Sequence, residues 1–232
     1  SIRMIYDGTS VHDNGESSTD RSISTSTFNS LANSNAYVGY MYGTPSATAY
    51  DETHENTNDS AIKKALDAWY ENNIKNTDYE KYVVDAIYCN DRSLASGNGA
   101  GTNITNYKVW NRISNKSPTL KCSQTNDRFT TSTIIKNISG NGALTYPIGL
   151  ITADEVAYAG GLYETRNTKY YLYMGDWYWT MSPAKYSGSY ASELNVYVSG
   201  YLINNGVNDT SLHVRPVISI SGTALNSGNG TK

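Results

Sequence analysis

Histidines, cysteines and clustered carboxylates are where a chain of this kind could do chemistry, and here they are few and scattered. His12, His54 and His213 stand in unrelated contexts, none with a partner at the i+2 or i+4 spacing that sets metal ligands side by side. Asp51-Glu52-Thr53-His54-Glu55 is dense in carboxylates and reads as a solvated loop; Asn58-Asp59 beside it offers oxygens of the type calcium takes, with the same plain reading against it. No metal site and no cofactor are expected. Nucleophilic catalysis has no better footing, because there is no Gly-x-Ser-x-Gly elbow and neither cysteine stands near a helix start followed by a His-containing motif. Gly97-Asn98-Gly99-Ala100-Gly101 alternates glycines, but no clear strand precedes it and no helix follows, so it makes a poor phosphate cradle. Asp154 and Glu155 look like paired acids, yet their place in a helix first turn accounts for them electrostatically. The expectation is a protein that is not an enzyme.

Recognition chemistry is better represented. Tyr186, Ser189, Tyr190, Asn195, Tyr197, Ser199, Tyr201, Asn204, Asn205 and Asn208 crowd into one short stretch, interleaved with Gly188, Gly200 and Gly206. Binding loops favour these residue types: tyrosine gives rigid contact area at low entropy cost, and small polar residues adapt their hydrogen bonds. Alternation through Leu194-Asn195-Val196-Tyr197-Val198 assigns Leu194, Val196 and Val198 to a core face and turns Asn195 and Tyr197 toward solvent or a ligand. The whole chain is rich in Tyr, Asn and Ser, so the same stretch also reads as ordinary surface.

Composition sets the background for that stretch. Only 17% of residues are charged and 38% hydrophobic, with 21 Tyr against 2 Phe; the core must therefore lean on tyrosine, whose ring supplies apolar area while its hydroxyl finds a partner. Net charge is -3 and the basic residues form no run longer than Lys63-Lys64, which argues against nucleic acid as a partner. No stretch approaches the roughly 18 apolar residues of a membrane span. Cys89 and Cys122 are either two buried thiols or one disulfide closing a loop of about 30 residues, worth roughly 3 kcal/mol in the chain-entropy model. The Asn/Ser/Thr/Tyr-rich, lysine-poor skin favours the disulfide and an extracellular or cell-surface setting.

The elements that would position these residues follow from periodicity and caps. Ile2 to Tyr6 reads as a strand ending at Asp7-Gly8, and a chain that opens in mid-strand suggests a processed or truncated product. Residues 9–35 are irregular, and Tyr37 to Tyr42 is a strand candidate. Asp59 or Ser60 can cap a helix whose Ile62, Leu66, Trp69, Tyr70 and Ile74 share one face, and a second helix is expected after Asp78 with Tyr79, Tyr82, Val83, Ala86 and Ile87 as its apolar side. Residues 90–143 read as a loop-rich insertion anchored by Tyr107, Val109, Trp110 and Ile113. Leu144 to Ile151 is a strand running into a helix with a Thr152/Glu155 capping box and a Gly160-Gly161 stop. Strands are then predicted at Trp177–Met181, Leu194–Val198, Tyr201–Asn204 and Leu212–Ile220, with Asn205-Gly206 as a hairpin turn. This order predicts one α+β domain over 1–222 and a polar tail over 223–232.

Three stretches in order, Pro147-Ile148-Gly149-Leu150-Ile151-Thr152-Ala153-Asp154-Glu155, Tyr178-Trp179-Thr180-Met181-Ser182-Pro183 and Val214-Arg215-Pro216-Val217-Ile218-Ser219-Ile220, resemble the "YW-x-x-SP … VRP" core of a family of bacterial surface and phage-associated domains. That core is similar to formylglycine-generating-enzyme-like and C-type-lectin-like folds. The helix from Asn58 to Leu66 fits the same pattern, so the resemblance spans residues 58–220. It implies a C-type-lectin-like fold with small antiparallel sheets, two to three helices and long loops. It also implies that Arg215-Pro216 opens a last strand paired with the first, whose other edge is open to another chain. No Cys follows Cys122, so formylglycine chemistry is not implied, and the Glu-Pro-Asn and Trp-Asn-Asp calcium motifs of sugar-binding lectins do not occur. Relatives that display Tyr, Asn and Ser on this C-terminal face are receptor-binding proteins, and others often carry a type IV prepilin-like leader. The expected function is therefore an adhesin or receptor-binding head engaging a protein or glycan on another surface. The alternative is a structural subunit of a pilus-like or other extracellular filament, self-assembling through its N-terminal edge strand.

Overall fold

The computed structural model describes residues 1–227. These residues form a mixed α/β structure in which the described part holds four α-helices and several small sheets, with no barrel. The helices are α1 Tyr50–Thr53, α2 Ala61–Asn73, α3 Lys108–Ser114 and α4 Ala153–Ala159. Of the strands, β1 is Ile2–Ile5, β2 Ile148–Gly149, β3 Tyr178–Tyr186, β4 Ala191–Val196, β5 Leu202–Gly206, β6 His213–Val214 and β7 Val217–Ile220; shorter pairings are named by residue range.

Local chemistry accounts for the two best-defined helices. Ser60 Oγ accepts the Lys63 N–H at 3.1 Å and starts α2, whose Ile62, Leu66 and Tyr70 are buried at helical spacing. Lys63 is buried on the same helix, its ammonium held by Asp67 at 2.7 Å and Asp59 at 3.2 Å. The expected capping box opens α4: Thr152 Oγ accepts from Glu155 N–H while Glu155 Oε2 accepts from Thr152 N–H at 2.8 Å, and Gly160 closes the helix at φ +119°.

β1 and β2 flank β7 in a three-stranded antiparallel sheet, with Ile2 opposite Ile220 and Ile5 opposite Val217. The final strand thus pairs with the first, as expected from Arg215-Pro216. Arg215 is buried at that joint, donating to Asp7 Oδ1 at 2.6 Å and to the Tyr6 and Leu172 carbonyls. The larger sheet runs β5-β4-β3-β6 and then Ser24–Thr25, and the Thr105–Tyr107 strand joins the end of β3. Residues 90–143 therefore reach the centre of the fold: Tyr107, Val109 and Ile113 are core residues and Asn90 to Arg92 are buried. Cys89 and Cys122 form the disulfide. Tyr40, Tyr88, Tyr107 and Tyr178 lie in the core with every hydroxyl donating to a partner, which is how so few phenylalanines suffice. Among the described residues no helix is long and apolar enough to cross a membrane.

Several expectations are corrected. Residues 35–38 form a 3-10 turn in place of a strand, because Asn35 Nδ2 donates to the Ala100, Gly101 and Asn103 carbonyls and pins the chain; only Met41–Tyr42 is extended. The helix expected after Asp78 is one 3-10 turn at Glu80–Tyr82, since Val83 bridges to Ile220 and Val84 N–H donates to the Ser219 carbonyl. Pro216 breaks the last predicted strand into β6 and β7, which belong to different sheets. Asn205-Gly206 ends β5 and makes no hairpin; a turn opens at Gly206, whose carbonyl accepts from Asp209 N–H at 3.0 Å. Of the predicted tail, Gly222–Ser227 includes a 3-10 helix, and residues 228–232 lie outside the described residues.

Candidate functional site

The candidate binding residues lie on β3, β4 and β5 and in the turns that join and follow these strands. In the β4–β5 ladder Glu193 faces Asn205, Asn195 faces Ile203, and Leu194 faces Asn204. The true hairpin turn follows β4: Gly200 N–H donates to the Tyr197 carbonyl at 2.8 Å and Tyr197 N–H to the Tyr201 carbonyl at 2.9 Å. Gly200 adopts φ +77°, and a Cβ there would run into the Asn167 carbonyl, so glycine is required. Tyr173 hydroxyl donates to the Val198 carbonyl at 2.8 Å and ties the turn down.

Tyr197 and Tyr201 flank this turn with their rings stacked, centroids 4.9 Å apart, and Trp177 packs on Tyr197 at 4.7 Å. All three are half-buried, as is Ser199. The backbone beside the tryptophan is tied down. The Trp177 main-chain N–H donates to Asp176 Oδ1 at 2.8 Å, Asp176 Oδ2 meets His213 Nε2 at 3.1 Å, and His213 Nδ1 meets Ser22 Oγ at 2.6 Å. The result is a fixed aromatic shelf with a polar rim, able to bury ligand area without ordering flexible side chains. Burial, with the neighbouring Tyr197 adding to it, pushes the Tyr201 hydroxyl up.

The remaining predicted residues do not join this shelf. Tyr186 is buried at the end of β3, between Ala191 and Thr105. Asn195 is fully buried, and so is Glu193 on the same strand face. The outward reading of Asn195 is therefore corrected: the segment from Ser26 to Val38 covers that face, with Ser26 carbonyl accepting from Trp179 Nε1 at 2.8 Å and Phe28 edge-on to the Trp179 ring. Ser189, Tyr190 and Asn208 are exposed, Tyr190 by 43%, but they gather at the other end of the ladder, where the Tyr190 ring lies beside Gly206. At ~3.4 Å per residue the two ends of β4 stand roughly 17 Å apart. Asn204 and Asn205 are half-buried on opposite faces of β5, and Asn205 Nδ2 donates to Asp209 Oδ2 at 3.0 Å. Burial opposes it, but hydrogen bonds from Ser211 and Asn205 hold the Asp209 carboxyl below its usual range.

The sequence reading missed Trp177 as a site residue. The Trp177-Tyr178-Trp179 run was the available signal, since three successive large aromatics on a strand cannot all enter one core face. Among the described residues no three His, Cys, Asp or Glu side chains are arranged to hold a metal ion. His54 lies sealed between Tyr50 and Tyr107, where burial, and after it the charge of Arg92, pushes its pKa well down. Comparison of the chain with protein-family models, characterised proteins and solved structures finds no match.

Proposed function

We propose that this chain is a non-enzymatic recognition domain with a C-type-lectin-like arrangement, working outside the cell or on its surface. The observation that carries the reading is the Trp177–Tyr197–Tyr201 shelf: three large aromatic rings left half in solvent, on a turn fixed by Gly200 and Tyr173. Monomeric proteins rarely hold such rings rigid at the surface without a partner that covers them. Pairing of the first strand with the last, and a long irregular course between α2 and the C-terminal strands, are in keeping with the fold. The Cys89–Cys122 disulfide supports an oxidising location. The partner class is a protein or glycan displayed on another surface.

The double substitution Tyr197→Ala/Tyr201→Ala tests this. Binding to the target surface, measured as retention of the labelled chain on host or bacterial cells, is expected to be abolished. The melting temperature should fall by only a few degrees, because neither ring is in the core. Undiminished retention by a folded double variant would overturn the assignment.

A further inference from the structure

A cleft of about 540 Å³ lies between the disulfide and the start of α4, within the size range of small-molecule sites. It shares no residue with the aromatic shelf. Its charged lining is fixed in advance. Arg112 is forked onto Asp154 at 3.1 and 2.8 Å and reaches Asp91 at 2.8 Å, while Arg3 pairs with Glu155 at 2.9 Å and donates to the Ile87 carbonyl. Donors and acceptors held this way leave little ordering for a ligand to impose.

The charges in the cleft are not evenly matched. Its ion pairs take up Arg3 and Arg112 on one side and Asp91, Asp154 and Glu155 on the other. Arg128 donates only to neutral carbonyls, those of Cys122 at 2.7 Å, Ser123 at 3.1 Å and Ser139 at 3.1 Å, and Lys121 is exposed at the same lining. Four cations thus line the cleft against three carboxylates, and Arg128 and Lys121 form no ion pair among the described residues, while the carboxylates keep free lone pairs. A second cleft, of about 330 Å³, adjoins the first through Arg3, Leu120 and Glu155 and is walled by Tyr158 and Tyr171, exposed by 60% and 74%. Tyr158 hydroxyl donates to the Pro118 carbonyl at 2.8 Å, so its ring is braced although it is exposed.

We propose that the two clefts together form a binding site for an acidic saccharide, a sugar bearing one carboxylate, with Arg128 and Lys121 receiving the acid group. Sugar hydroxyls supply donors to the carboxylate oxygens at the lining, chiefly those of Glu155, the most accessible of the three, while Arg128 and Lys121 offset the repulsion between these carboxylates and the ligand's own acid group. An apolar ligand would leave both cations desolvated without a partner. The Tyr158 and Tyr171 rings offer apolar faces to the C–H side of a neighbouring sugar ring, so a disaccharide fits better than a monosaccharide.

Calorimetric titration of the intact chain with galacturonate, glucuronate, N-acetylneuraminate and digalacturonate, beside neutral galactose, tests the site. Saturable binding of at least one acidic sugar is expected, with galactose weaker by about tenfold or more. Lys121→Glu should weaken the acidic sugar by about tenfold; because its side chain is exposed and outside the cleft's ion pairs, a folding defect does not explain the loss. Tyr171→Ala should weaken digalacturonate and leave the monosaccharide unchanged, and Tyr197→Ala/Tyr201→Ala should change neither. The proposal is overturned by absence of saturable binding across the panel, by equal affinity for acidic and neutral sugars, or by an unaltered affinity in Lys121→Glu.

Discussion

Arg92 and the middle of β4 both bury an ionisable group completely, and they do so in opposite ways. Arg92 has a partner for each guanidinium N–H: Asp127 for Nε at 2.7 Å, the Met41 and His54 carbonyls for Nη1, and Asn56 and the Asn126 carbonyl for Nη2. Among the described residues, Glu193 on β4 has no hydrogen-bond partner at either carboxylate oxygen, and Asn195 Oδ1 on the same face has none either. Burial therefore pushes the Glu193 carboxyl well up, with only the charge of Arg92 opposing it. A buried charge persists where the surrounding backbone turns its carbonyls inward. On a flat strand face the backbone is already committed to the ladder, and the side chain must give up its charge instead.

Removing the partner on the satisfied side gives the largest expected effect. Arg92→Ala strips Asp127 of its counter-charge and takes a donor from four inward oxygens, of which the His54 and Asn126 carbonyls keep other donors, so chemical denaturation should show a loss of about 3–5 kcal/mol. A loss under about 1 kcal/mol would mean that the network contributes nothing beyond solvation.

On the unsatisfied side the sign reverses. Because the folded pKa of Glu193 lies above its ordinary 4.5, its contribution is fully present below that value and is lost as pH rises through the folded pKa. Glu193→Gln should therefore match the parent near pH 4 and exceed it increasingly toward alkaline pH, by about 1–3 kcal/mol where the parent carboxyl is forced to ionise. A gain that does not change with pH would break the contrast with Arg92.

The smallest effect belongs to His12, half-buried in the N-terminal loop between Asp20 at 2.8 Å and Glu16 at 3.3 Å. Its pKa is raised, chiefly by the Asp20 carboxylate beside it, with desolvation opposing and Glu16 adding. The pairing stabilises fully below the ordinary histidine value of about 6.5 and is lost as pH rises through the raised folded value. His12→Gln should lower the melting temperature at pH 5 and leave it unchanged at pH 9. A uniform decrease at both would show that the ring matters only for packing.

Short-range features were legible. The Thr152/Glu155 box, the Gly160 stop and a cap of α2 at Asp59 or Ser60, which the structure assigns to Ser60, each rest on a few neighbouring residues; the β1–β7 pairing, which joins the two ends of the chain, was implied only by the family resemblance. The candidate site was legible only in part. Tyr197, Ser199 and Tyr201 meet at one turn, but Tyr186 and Asn195 are inside and Tyr190 lies at the far end of the ladder. Alternation along a strand says which residues share a face. It does not say whether another segment covers that face, and the Ser26–Val38 segment that covers Asn195 is more than 150 residues away in the chain.

By itself, then, the sequence determined an α+β chain, the location of α2 and α4, a cysteine pair suited to a disulfide, and a C-terminal third rich in binding-type residues. Those properties come from caps, period and composition, which act over a few residues. Only the tertiary structure decided which tyrosines form a shelf and which fill the core, that Trp177 belongs to the shelf, and that Glu193 lies buried without a partner. It also brought Arg3, Arg112 and Arg128 around one cleft. Each of these depends on segments far apart in sequence that meet because their apolar faces must be covered, and local pattern carries no record of which segment does the covering.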